Sequence, residues 1–250
     1  MTPTEMRPEP HALDKNGSEP TGLVVALIRE ARSLIRGHIA LDQPVSLGQH
    51  NYCWVSGMGA ARAERAARAL LDLGCQRLAS WGCAGGLSRE ARAGRIFLPS
   101  RVLDEEGRIL PVDPIWRLQL AHELSSPPQD CEDLLTVDHV VADPAEKTLL
   151  REHYPVALVD LEAFAVARVA SERGLPFIAI KAPLDSHDQG LPSVFTRILD
   201  PWGRIALSRL PFGLAQMRIR DFSGLRLLWQ NDRLARQALR RFAQALGWTA

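Results

Sequence analysis

The chain lacks long apolar runs: no stretch of about 18 apolar residues occurs, which excludes a helix spanning a bilayer. It has few cysteines, and Cys53, Cys75, Cys83 and Cys131 form no Cys-x-x-Cys pair. A disulfide framework and a zinc ribbon are therefore not written into it, and reduced thiols in a cytosol are expected. Lysine is scarce: of 30 basic residues only Lys15, Lys147 and Lys181 are not arginine. Net charge is close to balance at +1, so the whole chain has no bulk attraction to nucleic acid. Met1 to Pro20 has four prolines and no apolar core, so it reads as a loose tail and not as a secretory leader. These absences point to a cytoplasmic setting.

What is present is an ordinary globular composition. The 250 residues are 46% hydrophobic and 24% charged, within reach of one α/β domain. The charge is uneven. Phe195 to Ala250 carries ten arginines against Asp200, Asp221 and Asp232, a balance of +7 that leaves −6 for residues 1–194.

Short apolar runs suited to buried strands fall at Leu23–Ile28, Tyr52–Ser56, Arg77–Ser80, Leu134–Val141, Val156–Val159 and Pro176–Ile180. Ile96–Pro99 and Val102–Leu103 read as edge segments before a turn at Glu106-Gly107, and Pro127-Pro128 with Asp130 marks a surface loop. Helical stretches lie between them. Ala60–Leu73 is closed by Gly74, Ala145–His153 starts after Pro144, and Leu161–Arg173 is closed by Gly174. Strands alternating with helices predict a three-layer α/β/α domain around a mixed, mostly parallel sheet. After Pro192 the texture changes. Leu234, Ala238, Phe242 and Leu246 recur at helical spacing beside Ala235 and Leu239, while Arg233, Arg236, Arg240 and Arg241 fall off that arc. Two readings of this basic amphipathic helix stay open: it docks on the body, or it meets a membrane surface or partner.

Sites in open α/β sheets lie at the carboxyl ends of strands. Just past the predicted strands stand Arg29-Glu30, Ser56-Gly57-Met58-Gly59, the Gly82–Gly86 loop, Asp160 with Glu162, and Lys181 with Asp185. Carboxylates and glycine loops thus converge on one crevice. Gly57 and Gly59 before a helix, with Arg29 and Arg62 nearby, suit an anion weakly. Gly82 permits close backbone approach, Cys83 is either a small buried thiol or a nucleophile, and Glu30 and Asp160 are also readable as caps. His187-Asp188 has no companion ligand spacing, so no metal is expected.

Five segments in this order resemble the nucleoside phosphorylase superfamily of purine and uridine phosphorylases and methylthioadenosine and futalosine nucleosidases. They are Gly22–Glu30 (GLVVALIRE), Ser56–Ala60 (SGMGA), Gly82–Leu87 (GCAGGL), Val159–Ala167 (VDLEAFAVA) and Pro176–Asp185 (PFIAIKAPLD). The arginine-rich tail with Leu199–Arg204 (LDPWGR) is most similar to the hopanoid-associated branch. The resemblance implies a tail at 1–20, a catalytic domain at 21–193 and a basic helical extension at 194–250. It implies removal of adenine from a 5′-substituted adenosine, adenosylhopane giving ribosylhopane or its phosphate. It makes Asp185 the general acid at the purine N7, Glu162 the ribose clamp and Glu30 the residue that orients the attacking water. Leu161 lies beneath the sugar, with Gly82, Cys83, Val140 and Val141 around the substrate. No cofactor is implied beyond phosphate as a co-substrate, and a homo-oligomer is expected, with peripheral contact to the inner face of the membrane through the basic helix.

A free Asp titrates near ~3.9, so an acid at 185 requires desolvation, which Ile180, Ala182, Pro183 and Leu184 favour. Two positions depart from the family. Leu184 replaces the usual serine beside the acid, and Ser80, beside Trp81, stands where phosphorolytic members carry an arginine. The second departure removes a bidentate phosphate partner and favours water. A soluble methylthioadenosine-type nucleosidase and a non-catalytic nucleoside-binding protein are the competing readings.

Overall fold

In the computed structural model the described residues are 19–124, 133–191, 199–204 and 219–250, with 219–225 described by backbone alone. The tail expected before residue 19 and the Pro127-Pro128 loop lie outside them.

Nine strands form one mixed, mostly parallel sheet in the order β2-β3-β1-β4-β8-β7-β5-β6, with β9 pairing on β4. The strands are β1 Thr21–Val25, β2 Pro44–Gly48, β3 Asn51–Val55, β4 Arg77–Gly86, β5 Arg101–Asp104, β6 Ile109–Pro111, β7 Asp133–Thr136, β8 Val156–Asp160 and β9 Phe177–Asp185. The helices are α1 Ile28–Ala31, α2 Ala60–Asp72, α3 Pro114–His122, α4 Pro144–His153, α5 Ala163–Glu172 and α6 Ile219–Ala245. β1 is buried at every residue because parallel neighbours β3 and β4 flank it and helices cover both faces. Asp113 and Asp143 accept the N–H groups of Trp116 and Ala145, and a proline follows each at the first helical position, fixing where α3 and α4 start.

Apolar clusters cover both faces of the sheet. On one face the small side chains Ala63, Ala66 and Ala67 of α2 meet Ala163, Ala167 and Ala170 of α5, which lets these helices lie close over the strands. On the other face α1, Trp116 and Leu120 of α3, and α6 share a core. Helix α6 therefore docks on the body. Its buried seam is Ala235, Leu239, Phe242 and Ala243, with Phe242 stacked on Trp81 of β4 at 6.3 Å. The expected stripe is corrected by part of a turn, since Leu234 is 46% exposed. No helix among the described residues is long and apolar enough to cross a membrane.

Other expectations also change. The first strand ends at Val25, and Ile28 opens α1, because Leu27 N–H is taken by the Glu30 side chain and not by a neighbouring strand. The strand expected to stop at Ser80 runs on to Gly86, since β9 continues to pair with it parallel and β8 joins its end antiparallel. Conversely, Leu134–Val141 is strand only to Thr136, and the 96–99 segment contributes a single bridge between Phe97 and Lys181. Strands β2 and β6 and helix α3 were not foreseen from the sequence pattern. Removing the ring of Phe242 opens a cavity between α6 and β4. Phe242→Ala is expected to lower the unfolding free energy by about 3–5 kcal/mol, measured by urea denaturation.

Candidate active site

The carboxyl end of β4 is the floor of a cleft. Gly82 and Gly86 make this possible. A Cβ on Gly82 would lie 2.7 Å from the Glu30 carboxylate, and one on Gly86 would lie 2.5 Å from the backbone oxygen of Asp185. The glycines are needed because two acidic elements press directly on the strand.

Glu30, on α1, is buried and accepts backbone N–H groups from Cys83 at 2.7 Å and Leu27 at 2.9 Å. Burial raises its carboxyl above the usual range, against the pull of those donors and of Lys181. Glu162 lies just before α5. Its Oε1 accepts Gly59 N–H at 2.8 Å, and Leu161 N–H reaches Oε2 at 3.3 Å. Desolvation, aided by repulsion from Asp160, pushes its carboxyl up to about 8. Asp160 Oδ2 pairs with Lys181 Nζ at 2.8 Å, and its Oδ1 accepts from Thr136 Oγ1 at 2.7 Å. Lys181 also donates to Ser80 Oγ at 2.9 Å, so the residue standing where an arginine was looked for serves as a partner of a buried ammonium.

Asp185 ends β9. Its Oδ1 accepts Gly86 N–H at 3.1 Å and its Oδ2 accepts Lys147 Nζ at 2.6 Å. Burial raises this carboxyl, with Lys147 acting in the opposite direction. The desolvation expected from its apolar neighbours is present. The buried lysine was not foreseen, and the only sequence signal for it was the rarity of lysine itself.

Glu30, Cys83, Val140, Val141, Asp160, Leu161, Glu162 and Asp185 all line one cleft with Met58, together with His139 and other side chains that carry no such signal in the sequence. Gly82 sits behind Glu30 and is not part of the lining. The Cys83 thiol, on a half-buried residue, is held well above its usual pKa, chiefly by desolvation, which does not suit a thiolate nucleophile.

The weaker anion site is not assembled. Gly57 N–H bonds Ala26, Met58 N–H bonds Pro201 and Gly59 N–H bonds Glu162, so the amides that would cradle phosphate are occupied. Arg62 stacks over Trp202 at 5.3 Å and Arg29 faces Asp232 at 3.6 Å, both away from the cleft lining. No lysine or arginine lines the cleft among the described residues. In this structure Arg29, Arg62, Gly57 and Gly59 have protein partners where the sequence reading had an anion. His187 and Asp188 line a separate surface hollow with Arg89 and Arg92.

A sequence model described as the phosphorylase superfamily matches residues 28–199. Comparison with curated proteins gives no match. Among solved structures, an S-adenosylhomocysteine nucleosidase from Streptococcus pyogenes in complex with 5-methylthiotubericidin superposes with a TM-score of 0.64 at 17% identity, covering 92% of this chain and 98% of that one. A 5′-methylthioadenosine/S-adenosylhomocysteine nucleosidase from Neisseria meningitidis gives 0.62 at 17% identity, covering 90% and 98%. Futalosine hydrolase of Helicobacter pylori gives 0.62 at 12% identity, covering 90% and 97%.

A carboxyl whose folded pKa exceeds its unfolded value makes folding less favourable as pH climbs between the two, because the folded state keeps a proton the unfolded state has released. For Glu162 that window runs from 4.5 to about 8. Glu162→Gln keeps the bond from Gly59 and removes the penalty. The variant is expected to gain stability relative to the parent steadily from the acid to the alkaline end of that window. Urea midpoints measured across it check this, and a flat difference would mean that Glu162 carries no such proton.

Proposed function

The chain belongs to the phosphorylase superfamily, and we propose that it hydrolyses the N-glycosidic bond of a 5′-substituted adenosine, releasing adenine. The observation that carries this reading is a cleft in which four carboxyl side chains converge and no lysine or arginine of the described residues lines the wall. A phosphate dianion entering there would meet Glu30, Asp160 and Glu162 without an arginine to receive it. Water needs no such receiver, and the carboxyl oxygens of the cleft can face the positive charge that grows on the sugar as the bond to the base breaks.

In this reading Asp185 delivers the proton to N7 of the base. Burial raises its carboxyl in the direction of the acid form, and the base stacks on Val137, Val140 and Val141. Glu162 holds the ribose hydroxyls through the oxygen not engaged by Gly59. That grip fixes the sugar in one orientation toward the acid and the water. Glu30 orients the water and takes its proton. Burial raises its carboxyl, which makes it a stronger base, and two backbone donors keep it in place.

Beyond the ribose, the cleft is lined by Leu27, Met58, Leu184 and Leu191, which supports an apolar 5′ substituent. Adenosylhopane is the substrate of this class that the tail segment suggests. Arg233, Arg240 and Arg241 are exposed on α6 and are available to an anionic membrane surface bearing such a lipid. A second reading is a short 5′-thioether such as that of 5′-methylthioadenosine, which the apolar side chains Met58 and Leu184 of the same wall would also accept.

Asp185→Asn is expected to slow adenine release by about 10²–10⁴-fold while binding of adenine persists, followed by steady-state kinetics and calorimetry. Turnover should be the same with and without phosphate. A strict need for phosphate would overturn hydrolysis, and an Asp185→Asn enzyme of parental rate would overturn the acid.

A further inference from the structure

Lys147 has no part in the reaction as derived so far. It comes from α4 and is 0% exposed. Its ammonium makes three hydrogen bonds: to Asp185 Oδ2 at 2.6 Å, to the backbone oxygen of Gln189 at 2.9 Å and to that of Ser186 at 3.0 Å. An ammonium has three hydrogens, so all are placed. The loop that supplies the two carbonyls is itself held, since the Gln189 side chain accepts from Ser186 N–H and from Asn231 of α6.

Both oxygens of Asp185 therefore accept hydrogen bonds, one from Gly86 and one from Lys147. A general acid must have an oxygen that donates. In this arrangement the proton required by the leaving base rests on the lysine nitrogen, a single hydrogen bond from the carboxyl that must deliver it. A neutral amine has two hydrogens, which match the two backbone carbonyls, and a lone pair, which would then face an Asp185 O–H. The site is built for both forms. The pair is electrically neutral in each, but only one is ionic, and displacement of water from the cleft favours the form without separated charges.

Resting on the hydrolytic reading above, we propose that Lys147 is a positioning residue that stores the reaction's proton and passes it to Asp185 when a nucleoside fills the cleft. An Nζ–H bond breaks and an O–H bond forms on Asp185. That O–H turns about the carboxyl C–O bond from Lys147 to the base and breaks as N7–H forms, and the C1′–N9 electron pair moves into the base. The water oxygen bonds C1′, and its proton goes to Glu30. Lys147 is recharged when that proton returns through solvent. Arginine cannot serve, because a guanidinium does not give up its proton in proteins. This explains a lysine here in a chain whose cations are otherwise almost all arginine.

The full-length enzyme is assayed with 5′-methylthioadenosine. Lys147→Met is expected to lower kcat by about 100-fold with KM changed by less than about threefold, and Lys147→Arg to lose kcat likewise although it retains the charge. Combined with Asp185→Asn, Lys147→Met should add no further loss, because it acts only through that carboxyl. A folded Lys147→Met or Lys147→Arg enzyme of parental kcat overturns the proposal, as does full additivity in the double variant. Infrared difference spectra of the parent enzyme test it without a lysine variant. Adding 5′-methylthiotubercidin, which has carbon in place of N7 and takes no proton, should produce a protonated-carboxyl stretch that Asp185→Asn lacks. No such band overturns the proposal. A parent enzyme that shows the band but releases no adenine leaves the proton store standing and removes the hydrolytic reading instead.

Discussion

The structure depends on placing ionisable groups out of contact with water. Glu30, Asp160, Glu162, Asp185, Lys147 and Lys181 are all buried around the carboxyl end of one strand. Fully ionised, four carboxylates against two ammoniums would leave an excess of two negative charges in a poorly solvated space. The protein resolves this in two ways. Two carboxylates, Asp160 and Asp185, each receive a lysine, and the other two are raised in pKa so that they hold protons more tightly. The affinity of this region for protons, and for a cationic sugar, follows from that imbalance.

Strand β4 is where the constraint becomes geometry. Its first half is a conventional central strand, paired parallel to β1 and β9. Its second half gives up side chains at Gly82, Gly85 and Gly86, and into that space come Glu30, Val159 and the backbone of Asp185. The same residues would be a weak choice for a strand interior if packing alone decided, since glycine contributes no side chain and costs conformational entropy. Here the loss is offset by a ladder on both sides and by the acidic groups the bare backbone can accept.

Much of this was visible in the sequence because it rests on local signals. The alternation of apolar runs with Ala-rich segments, the helix start at Pro144 and the glycine stretch each have a near-neighbour cause. So does the placement of Glu30, Glu162 and Asp185 just past strands, and the structure brings these three to one cleft. The rest was not visible because it is decided across long separations. Whether β4 stops at Ser80 depends on β9, about a hundred residues later. The amides of Gly57 and Gly59 look free for an anion until Pro201 and Glu162 are found on them. Lys147 carries no local sign of burial: it lies in a charged helix between Glu146 and Thr148, and its partners lie 38 to 42 residues away.

The short segment at 199–204 fastens the later part of the chain to the cleft. Pro201 receives Met58 N–H, Trp202 receives Ile28 N–H, and Gly203 packs on Leu27. Met58 and Leu27 are themselves cleft wall. A lineage that trims, lengthens or exchanges what lies around this clasp alters the rim that the ligand meets in the same event. Chain length and ligand preference are in that sense inherited together, and a change of one should leave its trace in the other.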